Sequence, residues 1–340
     1  MKRAGWMLTA VSAILALAIP AFGQGVTMEK VPYFGQPNCY KLSNGTVELI
    51  VTTDIGPRII RYGFVGGQNE FAEIPNVTLK TSLGTWHIWG GHRLWHAPEA
   101  IPRSYVPDNS PIEATPAGDN SIHLIEPVEQ ATGIQKEIDV TLAPTGTHVV
   151  VVHKLTNKGL WAVHLACWSM SAMHTGGRGI FPQEPYVSHD QKVTAARPLV
   201  LWNYTDMSDP RWTWGKLFIQ LRNDPKVSAP QKFGIGNTLG WAAYERNHEL
   251  FMIRFPYIEG ATYPDLGCNN ESYTSDQFQE LETLSPMVTL EPGKTVSYTE
   301  DWYLFKNVHL GDTDESIEKA IGPLVKEATP TPVSEAFIAP

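Results

Sequence analysis

The chain breaks again and again into short runs in which apolar and polar residues alternate, each run ending at a turn-forming pair, and this punctuation restricts it to antiparallel sheets. Residues 47–53 follow the Asn44-Gly45 pair, and residues 58–64 begin directly after Gly56-Pro57. Ile138, Val140 and Leu142 alternate with polar residues and lead through Pro144-Thr145-Gly146 into residues 147–155, a second hairpin. Further strands are predicted over 163–169, 199–203, 217–221, 239–244, 250–255, 280–290 and 295–305, with Pro292-Gly293 turning between the last two. One helix is predicted over 316–326, entered through a capping box of Asp312 and Glu315 and weakened in its middle by Gly322-Pro323. Many short strands without intervening helices predict an all-β chain, a large antiparallel β-sandwich with one short C-terminal helix. No internal repeat or linker divides the strands. The expected organisation is a signal peptide (1–23), one β-sandwich domain (24–310), and a C-terminal helix with a Pro- and Thr-rich tail (311–340).

The N-terminus sets the expected compartment. Lys2 and Arg3 precede an apolar stretch from Met7 to Phe22, and Ala21-Phe22-Gly23 supplies small residues for cleavage, the pattern of a secretory signal peptide. The stretch falls short of the roughly 20 apolar residues a spanning helix needs, so no membrane span is expected. No cysteine stands at the cleavage point to carry a lipid anchor, and the protein is expected to be exported, periplasmic or extracellular. A net charge of -9 with no basic run argues against a nucleic-acid partner. Cys39, Cys167 and Cys268 are far apart and odd in number, which allows at most one disulfide and gives no metal-ligand spacing. No cofactor is expected, and the oligomeric state is left open.

The residues that carry chemistry cluster in a few places. In Phe278-Gln279-Glu280-Leu281-Glu282-Thr283-Leu284-Ser285-Pro286, Glu280 and Glu282 are two apart on a strand and share a face opposite Leu281 and Thr283. Such a pair is either a solvated strand face or a site where repulsion and burial raise a carboxyl toward neutrality for general-base work. Gly90-Gly91-His92-Arg93-Leu94-Trp95-His96-Ala97-Pro98 offers His92 and Arg93 as preferred ligand contacts, because glycines let backbone and ligand approach. Reading His92 and His96 as metal ligands needs a helix, which the glycines and Pro98 oppose. Arg58 suits a fork onto hydroxyls or, as the simpler reading, a structural salt bridge. Tyr257, Tyr263, Asp265, Asn269, Asn270, Glu271 and Tyr273 read as a polar-aromatic loop ahead of the glutamate strand. With 11 Trp and 12 Tyr the chain is rich in flat amphipathic rings. Trp86, Trp89, Trp95, Trp212 and Trp214 are candidate stacking platforms, with core packing the alternative.

Several of these segments together resemble a known family. Leu281-Glu282-Thr283 with Pro286 resembles the segment of aldose 1-epimerases and other galactose mutarotase-like proteins whose glutamate is the general base. The Gly90 to Pro98 segment is similar to that of the hexose-phosphate mutarotase branch. Gly45-Thr46-Val47-Glu48-Leu49 through Asp54-Ile55-Gly56-Pro57-Arg58-Ile59, and Thr156-Asn157-Lys158, resemble the family's opening strands and its asparagine step. The resemblance implies a supersandwich with a saccharide cleft across one concave sheet, and interconversion of sugar anomers by a carboxylate base, Glu282, and an imidazolium acid.

Trp168 stands where the family's acid histidine is expected. His164, on the same strand, is displaced by about 13 Å at roughly 3.3 Å per residue. His174, just before Gly176-Gly177-Arg178, is the candidate acid, or a surface loop histidine. The sequence therefore points to a saccharide-binding protein contacting its ligand through His92, Arg93, Trp95, Arg58, Asp265, Glu280 and Tyr257. The alternative is a mutarotase using Glu282 and His174. A glycan-cleaving enzyme ranks last, since Glu280 and Glu282 would approach a bond from one side.

Overall fold

The computed structural model describes Met1 and residues 25–332. Residues 2–23 of the predicted signal peptide and residues 333–340 of the tail lie outside the described residues. Two antiparallel sheets, one of 12 strands and one of 10, face each other. The larger sheet runs at its centre through Arg58–Phe64, Gly84–Ala97, Val163–Met173, Gln279–Leu284, Asn270–Thr274 and Gln231–Ile235. The smaller includes Trp241–Arg246, Glu249–Arg254, Thr295–Phe305, Val149–Asn157 and Ile134–Leu142 as consecutive neighbours.

Alternation along these strands builds the core. Leu49, Ile59, Leu94, Leu165 and Leu281 of the larger sheet meet Ile138, Val140, Val151, Leu155 and Ile253 of the smaller in one buried cluster. At its centre Tyr62, Phe71, Phe251 and Trp302 pack ring against ring at centroid separations of 5.5–6.4 Å. Burying a side chain of this size is worth about 1.5–3 kcal/mol, so each of these rings contributes substantially to the seam between the sheets.

Two details differ from the sequence reading. The run 280–290 splits into Gln279–Leu284 and Val288–Leu290, because Pro286 cannot donate to the ladder. The helix is Asp314–Glu327, capped not by Asp312 but by Thr313, whose hydroxyl accepts from the Ser316 amide at 3.3 Å. Asp312 instead pairs with Arg178 and Arg222. The helix continues through Pro323, because Ile317 and Ile321 are anchored against Ile180, Ala243, Leu250 and Met252 on the outer face of the smaller sheet. No helix among the described residues is long and apolar enough to cross a membrane.

The Gly90-Gly91 pair has a structural task. Up to Gly90 the Gly84–Ala97 strand pairs with Glu73–Thr81, and from Gly91 onward it pairs with Val163–Met173. Trp89, Gly90 and Gly91 take φ values of +54°, +92° and +69° at this change of partner. A Cβ on Gly90 would stand 1.9 Å from the Ala72 carbonyl oxygen, and one on Gly91 2.5 Å from that of Ile59. The close approach these glycines permit is of backbone to backbone, not of backbone to ligand.

Candidate functional site

The bend fixes which way the following side chains point. Beyond Gly91, Arg93, Trp95 and Ala97 lie on the outer face of the larger sheet, and His92, Leu94 and His96 face inward. Register then carries the outer face across the sheet. Arg93 is opposite Met170, Met170 opposite Glu282, and Glu282 opposite Glu271. Directly paired residues of antiparallel strands share a face, so this row lies under one surface. Above it runs a groove of about 420 Å³ whose lining includes Trp86, Arg93, Trp95, Tyr105, Trp168, Tyr204, Lys232, Tyr273, Phe278 and Glu280.

At one end of the groove Arg93 donates from Nη2 to Glu280 Oε1 at 2.8 Å, and its guanidinium lies 5.4 Å and 5.0 Å from the ring centres of Trp86 and Trp95. Trp95 also packs on Trp86, Tyr105 and Trp168. Arg93 is only 3 % exposed, and its Nε and Nη1 have no hydrogen-bond partner among the described residues. The indole Nε1 of Trp86 has none either. Orphaned donors of this kind in a buried setting cost about 1–3 kcal/mol each unless water or a ligand meets them. The opposite wall presents Tyr204, 43 % exposed, with Tyr273 beside it at 6.5 Å and Phe278 beyond.

At the other end Glu282 is fully buried. Its Oε2 accepts from the Trp168 indole at 2.9 Å and from Lys232 Nζ at 2.9 Å, and the same ammonium reaches Glu271 Oε2 at 3.0 Å. Lys232 lies over the rings of Trp168 and Trp202 at 4.9 Å and 4.6 Å. Burial alone would lower the lysine, but the facing Glu282 and Glu271 carboxylates hold it well above its ordinary value. Burial pushes Glu282 up to about 7 against the pull of Lys232, and pushes Glu271 well above the ordinary carboxyl value. One ammonium faces two buried carboxylates here, and burial raises both of them. Asp265, in the adjoining loop, is raised by its own burial. Opposite Glu271 stands Gly234, where a Cβ would press on Cys268 Sγ at 2.7 Å and on the Glu271 side chain.

The structure brings Arg93, Trp95 and Glu280 together in the groove and sets Glu282 beneath its floor. The remaining five sequence candidates lie outside the groove. His92 is adjacent to Arg93 and therefore turns the opposite way, into the space between the sheets, where burial pushes its imidazole well below the ordinary value. Arg58 is fully buried in an ion pair with Asp108 at 2.5 Å and donates to the Gly90 carbonyl, the structural salt bridge of the simpler reading. His174 is exposed just past the end of its strand and does not line the groove. Tyr257 stacks on Tyr263 and borders a separate hollow with Arg254 and Asp301. Asp265 reaches the sealed cluster and not the groove surface.

Of the tryptophan candidates, Trp86 and Trp95 line the groove, Trp212 and Trp214 pack in the core, and Trp89 donates to Asn109. No histidine stands among the lining residues. Lys232 escaped the sequence reading. Its strand, Gln-Lys-Phe-Gly-Ile, has a single charge as its signal. Asn270–Thr274 is likewise a central strand and not a loop.

No family model matches the chain, and no curated protein matches it in sequence. Solved structures match its fold. A TPR-domain containing protein from Parabacteroides distasonis is similar over 80% of this chain at 14% identity and a TM-score of 0.54, and the match spans about half of that protein, 48%. A structure described as "a putative mutarotase (YeaD)" from Salmonella typhimurium matches 85% of this chain and 96% of its own at 11% identity and a TM-score of 0.53. The Slr1438 protein from Synechocystis covers 82% of this chain and 100% of its own at 10% identity and a TM-score of 0.51. The chain thus shares its fold with these structures, one of them described as a putative mutarotase.

Proposed function

We propose that this chain binds a saccharide in the groove on the outer face of the larger sheet. The observation that carries the reading is the trio of unpartnered donors, Nε and Nη1 of Arg93 and Nε1 of Trp86, at residues that line an aromatic hollow. A ligand dense in hydroxyl or carboxylate oxygens satisfies such donors, while Tyr204 and Tyr273 offer faces to a sugar ring. Glu280 fixes the guanidinium and adds an acceptor. Export follows from the leader read at residues 1–23 and places such binding outside the cytoplasm. A glycan array followed by titration of the best ligand tests the reading. Binding lost in Arg93→Ala supports it, and an array on which the wild type retains nothing defeats it.

A mutarotase is the second reading, favoured by one observation: a carboxyl raised to about 7 is tuned for general-base work near neutrality. Against it, both donors to Glu282 Oε2 close the carboxylate off from the groove, and no imidazole lines the hollow to serve as the acid. Polarimetry on freshly dissolved α-glucose and α-galactose separates the readings. Acceleration that disappears in Glu282→Gln supports the enzyme; none in either protein leaves binding.

A further inference from the structure

The space between the sheets contains a sealed polar cluster remote from the groove surface. His92 comes from the Gly84–Ala97 strand of the larger sheet, and His153 and Glu300 from Val149–Asn157 and Thr295–Phe305 of the smaller. All three are fully buried, and one ligand-type atom of each lies within 4.8 Å of the others. His92 Nε2 stands 2.7 Å from His153 Nε2 and 3.8 Å from Glu300 Oε2.

Their remaining atoms are tethered as metal ligands are. His153 Nδ1 donates to the Tyr298 carbonyl at 3.1 Å, which turns Nε2 into the cluster. His92 Nδ1 is held by the Ser171 hydroxyl at 2.9 Å. Glu300 Oε1 accepts from Ser169 and Thr283, and Oε2 from the Trp302 indole at 3.0 Å. Charge supplies the second argument. Among the described residues no lysine or arginine comes within 4.0 Å of the Glu300 carboxylate, so no such side-chain cation stands where a metal ion would.

We propose that His92, His153 and Glu300 hold one divalent transition-metal ion of the zinc class, clamping the larger sheet to the smaller. Two imidazoles and one carboxylate suit zinc and its neighbours; calcium and magnesium prefer oxygen alone. With zinc about 2.0–2.2 Å from each donor, tetrahedral ligands stand roughly 3.3 Å apart. The observed 2.7 Å and 3.8 Å bracket that spacing, and a small rotation of the His92 ring evens them. The competing arrangement is a metal-free chain of hydrogen bonds from Ser171 through His92 and His153 to the Tyr298 carbonyl. Because the cluster is closed to solvent, metal enters as the sheets close and not through the finished sandwich.

The test uses the full chain produced in medium supplied with zinc or with cobalt, purified and dialysed. About one metal per chain, a visible spectrum of low-coordinate cobalt, and a higher Tm for metal-loaded than for chelator-treated, unfolded and refolded protein are expected. His153→Gln and Glu300→Gln should lose retention more than tenfold, and Ser171→Ala about tenfold. Wild-type protein that holds no metal and shows no cobalt bands overturns the proposal, without depending on whether the variants fold. So does metal retained equally by the folded variants, which places it on surface groups.

Discussion

Glu280 and Glu282 leave one strand on one face, yet Glu280 meets Arg93 at the groove while Glu282 is closed over by Lys232 and Trp168. Strand alternation gives both the same direction; what separates them is register, which sets a different neighbour opposite each. Glu282 is paired with Glu271 across the ladder, so its end of the face needs a cation and receives Lys232. Glu280 stands opposite the small Ala172, and the long Arg93 side chain reaches it diagonally across the intervening strand with two nitrogens left unpartnered. One end of the face is held by a shared ammonium that still leaves Glu282 Oε1 without a hydrogen-bond partner among the described residues, and the other keeps unpartnered Arg93 nitrogens at a residue that lines the groove.

The sharpest way to break this contrast is Lys232→Met. It leaves Glu271 and Glu282 buried without a cation and should cost about 3–5 kcal/mol in urea unfolding at pH 7. Part of that loss should return at pH 5, where the carboxyls take up protons. A loss equal at both pH values would mean that Lys232 acts by packing alone. Arg93→Ala attacks the open end. It should weaken the best array ligand more than tenfold, as loss of a buried anchor worth about 2 kcal/mol does, and affect stability less than Lys232→Met.

Glu282→Gln probes the closed end through pH. Because burial holds the folded-state value near 7, above the ordinary 4.5, the folded protein binds this proton more tightly than the unfolded chain. Its contribution to stability is complete below the unfolded value and is lost as pH rises through about 7. Wild-type stability relative to Glu282→Gln should therefore fall from pH 5 to pH 8. Other buried carboxyls titrate in the same window, and the difference between the two proteins isolates this one. Ligand affinity should change less than about twofold, since a hydrogen bond beneath the floor is worth only about 0.5–1.5 kcal/mol to the fold and nothing directly to the ligand.

Much of the fold was readable because alternation and turn pairs act locally. Arg58–Phe64 and Thr295–Phe305 have the bounds predicted for them. The site was readable only in part, because a strand's own residues do not announce its partners. Asn270–Thr274 looks like a loop since it is polar, but it is buried at the centre of a sheet where Glu271 and Lys232 satisfy each other. Trp168 was noticed as a substitute for an imidazole; that its indole donates to the very carboxylate in question required the register. The opposed directions of His92 and Arg93 follow from strand parity, but parity applies only once the Gly90-Gly91 bend is known to return the chain to a strand.

The smallest expected effect tests the far wall. Tyr204 is the most exposed ring of the groove and packs edge-on to Tyr273, so its face is available to a sugar at little cost to the fold. Tyr204→Ala should weaken ligand binding by about 0.5–1.5 kcal/mol while leaving the urea midpoint nearly unchanged. Tyr204→Phe should retain most of the affinity if the ring face is what binds. A loss in Tyr204→Phe as large as in Tyr204→Ala would instead assign the contact to the hydroxyl, and would shift the ligand from stacking on this wall to hydrogen-bonding with it.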